Sequence, residues 1–272
     1  MTAPTLPVAA PKRARLRAYG LWQLRDYFVE RGAPTLVVIG LFGWLLIAPL
    51  VSRLGPMLEN VPARLIVHHG SRAAAQHAML QEMSAEALSN FLGAIVFVGA
   101  LFAMNGIVAN DRKQGFYRFL FAKPVSPPAY YGQAFVLHGI GFLSIVAAMS
   151  LVYGALVTPV LTASFLAAIG ATYLCYAGIA FALSAAARWD WLSLVTVSVA
   201  ATYVWERYGQ STSPAAALAY LFPPLHRTSE VYNAAASRMA LPWHLVLWFV
   251  GYGMVSFAIG LVVLRYRRLA II

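Results

Sequence analysis

The sequence predicts an all-α polytopic membrane protein with six transmembrane helices. Three observations carry that expectation. First, 61% of the 272 residues are hydrophobic, only 11% are charged, and mean hydropathy is +0.69. Soluble domains carry about 25% charged residues, so this chain could not clothe a globule of its size in polar groups. Second, six long apolar runs recur along the chain, at 34–51, 89–109, 131–157, 164–187, 191–205 and 243–264. Third, Lys and Arg fall unevenly on the connections between those runs.

The charge count sets the orientation. With six spans, both termini lie on one side of the membrane. That side holds fourteen of the twenty Lys and Arg: six in residues 1–33, four in 110–130, then Arg188, Arg265, Arg267 and Arg268. The other side holds Arg53, Arg64, Arg72, Arg207, Arg227 and Arg238. The basic-rich side is expected to be cytoplasmic. The net charge of +11 therefore reflects topology and gives no reason to expect a nucleic-acid partner.

Taken in order, residues 1–33 are expected to form a cytoplasmic arm, separate from a membrane domain spanning 34–272. The opening MTAPTLPVAAP is rich in Pro and Ala and is expected to be disordered; it does not resemble a secretory signal, because the basic residues come after it and no cleavable apolar core follows directly. From residue 12 to 33 a helix would place Leu16, Tyr19, Gly20, Leu24, Tyr27 and Phe28 on one broad face, with Trp22 to one side. Arg15, Arg17, Arg25 and Trp22 are the expected lipid-interface residues of a basic amphipathic helix. Arg17 and Arg31 blur its two faces. A plain solvated arm is the alternative.

The loop at 52–88 carries His68, His69, His77, Glu82 and Glu86 at spacings that match no defined metal pattern, so a solvated helical hairpin is expected. Residues 71–88 read well as a helix. The fifth run, fifteen residues long, would rise only about 22 Å against a hydrocarbon core of ~30 Å. Pro214–Pro224 is apolar but short, which fits a re-entrant or interfacial helix. Ala234–Ala236 suggest a second short helix before Pro242 and the last span.

Several chemistries have no residues to carry them. No Asp, Glu, Lys or Arg falls in the six runs, so an ion-coupled relay at the midplane is not expected. His138 and His244 lie near span ends and read as structural or interfacial. No phosphate-cradling Gly-Lys loop, dinucleotide fingerprint, zinc-protease motif or nucleophile elbow is present. Cys175 stands alone, which rules out an intrachain disulfide.

One cytoplasmic stretch stands out: NDRKQGFYRFLFAKPVSPPAYY, residues 110–131. Asn110 can cap a helix, Asp111 suits its positive end, and Pro124 stops it after about three turns. Pro127 and Pro128 are expected to force an extended return into the third span. Phe116, Phe119, Leu120 and Lys123 recur at helical spacing, and Gly115 allows another backbone to approach. Physics alone leaves two readings open: aromatics lying in the lipid interface, or a plug that fits a groove on a cytoplasmic partner.

The same stretch resembles the segment after the second span in permease subunits of type-two ATP-binding-cassette exporters. The matching residues are Asp111, Arg112 and Lys113, then Gly115, then the aromatic turn from Phe116 through Tyr117, Phe119 and Leu120, then Lys123, Pro124, Val125 and Ser126. The six-span order and the short helices before the last span are also similar. The resemblance implies a coupling helix over 110–123 that docks on a separate cytoplasmic ATPase. It further implies a second permease subunit, identical or not, and a bacterial inner membrane. The chain itself would be a transport subunit and no enzyme. It would bind no cofactor, with ATP and magnesium held by the partner ATPase. The long loop between the first two spans departs from compact members and leaves the substrate open. A membrane scaffold without transport, and an intramembrane enzyme using the outer His and Glu residues with a metal, are the competing expectations.

Overall fold

The computed structural model describes residues 20–104, 107–108, 111, 126–186, 190–209, 216 and 219–266. Their regular structure is all helical, with turns and loops between the helices and no strand among them. Among the described residues five helices are long and apolar enough to cross a membrane: Gly20–Leu45, Arg72–Met104, Pro127–Leu156, Ala163–Ala186 and Trp243–Tyr266.

The first of them joins two elements that the sequence was expected to separate. Residues 20–26 are α-helical, Tyr27–Gly32 form a π turn, and helix α1 continues from Ala33 to Glu59. No break occurs at Pro34. A proline inside a helix lacks an N–H, and its ring strikes the carbonyl four residues back. The wide π turn accommodates that ring, because the Ala33 N–H reaches Phe28 O rather than the nearer carbonyl. The first candidate span therefore contains Arg25, Asp26, Glu30 and Arg31, which corrects the expectation that no span carries a charged residue.

Helix α2 (Ala63–His69) is a short segment with no buried residue, closed by Gly70, whose φ of 74° is the left-handed geometry that ends many helices. Helix α3 runs unbroken from Arg72 to Met104 and so merges the expected outer helix with the second span. At ~1.5 Å per residue it is about 50 Å long, well beyond the ~30 Å hydrocarbon core.

Helix α4 spans Pro127–Leu156. The two prolines do not hold an extended strand. Ser126 is extended, and Pro127 and Pro128 are the first residues of the helix, where no N–H is needed. Helix α5 (Ala163–Ala186) is the most enclosed element, with buried residues on every side. It packs against α3, α4, α6 (Asp190–Tyr208), α7 (Thr228–Ala236) and α8 (Trp243–Tyr266). Helix α6 has 19 residues and lies outside the set of five.

The tightest seam is α5 against α8. A Cβ on Gly178 would overlap the Gly253 carbonyl, and one on Gly253 would overlap the Leu174 carbonyl. In lipid no hydrophobic drive pushes helices together, so such backbone contact supplies the dispersion energy that does. Aromatic rings fill the space beside it: Phe135 stacks on Phe257 at 4.2 Å and Phe142 on Tyr173 at 4.6 Å.

The short helix expected near Ala234–Ala236 is α7, and it is buried along one side. Its Tyr232 hydroxyl donates to Thr172 Oγ1 of α5 at 2.9 Å. It ends in a left-handed residue, Arg238, with Met239 N–H bonded to Ala234 O at 2.8 Å. Of the apolar Pro214–Pro224 stretch, residues 214, 215, 217 and 218 lie outside the described residues.

Candidate functional site

Polar residues of the bundle gather beside residues 102–111, where α4 begins. A backbone carbonyl has a second lone pair, and a charged side-chain donor makes a strong hydrogen bond to it. Arg31, aimed by the π turn, is such a donor: Nη1 donates to Ala103 O at 2.8 Å and to Phe102 O at 3.2 Å. His138 on α4 places Nδ1 2.9 Å from the same Ala103 oxygen, and its ring is 3% exposed. His138 thus has the structural place expected of it.

Three more contacts tie this end together. Tyr131 of α4 donates its hydroxyl proton to Asp111 Oδ2 at 2.9 Å. Gln23 Nε2 donates to Tyr130 O at 3.3 Å. Tyr27 is fully buried, with its ring 5.0 Å from that of His138 and its edge against Gly141, where a Cβ would overlap it. The first helix is therefore seated against the bundle along Gln23 and Tyr27, while Trp22 at 50% exposure and Arg25 face outward. Phe28, expected on the same broad face as Tyr27, is exposed, about a quarter turn round the helix from the packed side.

Burial pushes the Asp111 carboxyl up to about 6, despite the Tyr131 hydrogen bond and the Arg31 charge, which oppose the shift; Asp26 adds to it. The sign follows from linkage. A carboxyl raised in the folded state contributes stability that is present below its ordinary value, near 3.8, and lost as pH rises through about 6. Asp111→Asn mimics the protonated form and keeps an acceptor for Tyr131. We expect this variant to be more stable than the parent at pH 7 and to flatten the parent's decline between pH 4 and 6. Thermal unfolding across that range checks it, and parallel curves for the two proteins would remove Asp111 as the source.

Of the expected coupling residues, Asp111 and Ser126 are placed by the structure. Asp111 is partly buried and bonded to α4; Ser126 is exposed at the start of α4. Arg112, Lys113, Gly115, Phe116, Tyr117, Phe119, Leu120, Lys123, Pro124 and Val125 lie outside the described residues, as do Arg15 and Arg17 of the lipid-interface set. Among the described residues, no three His, Cys, Asp or Glu side chains come together in a way that could hold a metal.

The fold defines a class, an all-helical protein whose several long apolar helices are compatible with a multi-pass membrane protein. Beyond that class, no family model, no curated protein and no solved structure matches the chain.

Proposed function

We propose that the chain is the permease subunit of an ATP-driven exporter, with six spans and both termini cytoplasmic. The observation that carries this reading is the locking of both flanks of the 110–123 stretch at one end of the bundle. Arg31 and His138 hold Ala103 of α3, and Asp111 is bonded to Tyr131 at the start of α4. A partner pressing on the segment between them would move α3 and α4 together, which is what conversion of ATPase closure into helix rotation requires. The charge count favours the cytoplasm for that end. Helix α6, about 28 Å long by its rise, supplies the sixth span. In this reading the chain holds no nucleotide. ATP and magnesium sit on the partner, and a second permease subunit completes the substrate path.

The test is affinity purification from the native host in mild detergent, comparing the parent with Phe119→Ala/Leu120→Ala. A near-stoichiometric soluble ATPase with the parent, lost with the double variant at equal expression, is the expected result. Absence of any nucleotide-binding protein would overturn the exporter reading in favour of a scaffold. Retention of the ATPase by the variant would overturn the docking role of those two residues.

A further inference from the structure

The connection from α6 to α7 ends in a short 3-10 turn, Leu225–Arg227, and α7 begins at Thr228. Aromatic rings clamp this connection between α6 and α8. The His226 ring lies flat on Trp205 of α6, with centroids 4.0 Å apart and planes 16° from parallel. Tyr220 meets the same Trp205 edge-on at 5.3 Å and stacks on Trp248 of α8 at 5.8 Å. The Tyr252 hydroxyl of α8 donates to Leu221 O at 3.1 Å. Residues 219–227 thus bridge the two helices, and His226 is their stacked contact with α6.

His226 holds that place only while it is neutral. Both ring nitrogens are shut off from solvent, and neither has a hydrogen-bond partner. A neutral imidazole carries one N–H and an imidazolium two. Enclosing a second unpaired donor together with a charge is far costlier than enclosing the first. The Trp205 face attracts a cation, but it lies beside the imidazole plane and cannot replace water at N–H groups that point within that plane.

The surrounding charges do not offset this. Arg227, next in the chain, opposes an imidazolium. Glu230 of α7 favours one, but Arg227 already holds its carboxylate through two bonds of 2.7 Å. His244, at the start of α8, acts on the same Glu230. Glu206 and Arg207, which follow Trp205 on α6, are exposed, so solvent screens them. Burial, and after it the Arg227 charge, lowers His226 from 6.5 to about 4. A value depressed in the closed form means that the closed form has its full stability above 6.5 and loses it as pH falls toward 4.

We propose that His226 is a proton-operated latch: neutral, it holds the 219–227 connection against α6, and protonated, it leaves Trp205 and frees that connection. The charge count puts this side of the bundle outside, so the signal is external acid. The inference goes beyond the export reading and does not need an ATPase.

The experiment is amide hydrogen exchange of the full chain in detergent at pH 7 and pH 5, corrected for the intrinsic pH dependence of exchange and mapped by mass spectrometry. Protection of residues 219–227 is expected to fall about tenfold between the two pH values, while residues 245–260 keep theirs. His226→Phe can still stack on Trp205 but cannot charge, so its protection should be the same at both. A second measurement needs only the parent fold: in spectra of protein labelled with 15N-histidine, the signal that His226→Phe removes should remain that of a neutral ring at pH 5. An equal fall in parent and variant, no fall in the parent, or a fall that extends to 245–260 would overturn the latch. So would a His226 signal that titrates near 6.5.

Discussion

Gly253→Leu is expected to destroy the folded monomer in detergent, whereas Gly251→Leu, two residues away on the same helix, should leave it intact. The contrast isolates backbone contact from helix propensity. Either change replaces Gly by a better helix former, a gain of about 1 kcal/mol for each. At Gly251 the new Cβ meets nothing within 4 Å and projects outward, so only that gain remains. At Gly253 the Cβ would overlap the Leu174 carbonyl and press on the amide of Cys175. These are main-chain atoms of a helix that is buried on all sides, and they have no rotamer to swing aside. Overpacking of this kind costs about 1–3 kcal/mol when neighbours can adjust, and more when they cannot. The seam also positions Phe257 against Phe135 and Phe181, so separation of α5 and α8 would open the aromatic core. Size-exclusion profiles and thermal unfolding of the two variants decide the matter. Equal stability of Gly253→Leu and Gly251→Leu would mean that the α5–α8 seam is not a close backbone contact.

How far the sequence revealed this architecture depends on which signal each element carried. Apolar run length located α3, α4, α5 and α8, because a stretch that must span lipid has no substitute for being greasy. The same signal could not rank α5 as the central helix. In a soluble protein burial is read from the polar–apolar alternation, but here lipid and protein interior are equally apolar, and both faces look alike. Small residues such as Gly178 were the available clue to close packing, and their partner Gly253 lies seventy-five positions away.

The first helix was divided wrongly for an instructive reason. Proline is the strongest helix stop in a sequence, and Pro34 marked a plausible boundary. The π turn that absorbs it has no residue signature of its own. One signal was visible nonetheless: Arg31 stood out of pattern on the expected amphipathic helix. A charged residue that spoils an apolar face is either misplaced or aimed at something, and Arg31 is aimed at the Ala103 carbonyl of α3. His138 and Asp111 were singled out in the sequence, but their meeting at one end of the bundle depends on tertiary geometry.

Arg31→Met is the sharpest probe of that meeting point. The guanidinium provides two hydrogen bonds to the Phe102 and Ala103 carbonyls of α3, and hydrogen bonds from a charged donor contribute about 1.5–3 kcal/mol net. Removal deprives both carbonyls of the Arg31 donor, while His138 stays beside Ala103 O. We expect a loss of roughly 2–3 kcal/mol in thermal or denaturant unfolding. Arg31→Lys should recover part of it, since an ammonium retains the charge and several donors but not the reach and planar geometry of the guanidinium. His138→Phe tests the shared acceptor. Because Arg31 and His138 both use Ala103 O, the double variant should lose a different amount from the sum of the single ones, a coupling of order 0.5–3 kcal/mol. Amide exchange along residues 99–104 provides a local readout, faster in Arg31→Met and near parental in Arg31→Lys. If this end of the bundle transmits motion as proposed, Arg31→Met should also depress transport while the ATPase still co-purifies, since the 110–123 stretch is untouched. A variant with parental stability and parental exchange would show that Arg31 does not hold this part of α3, and that flank of the 110–123 stretch would not be locked.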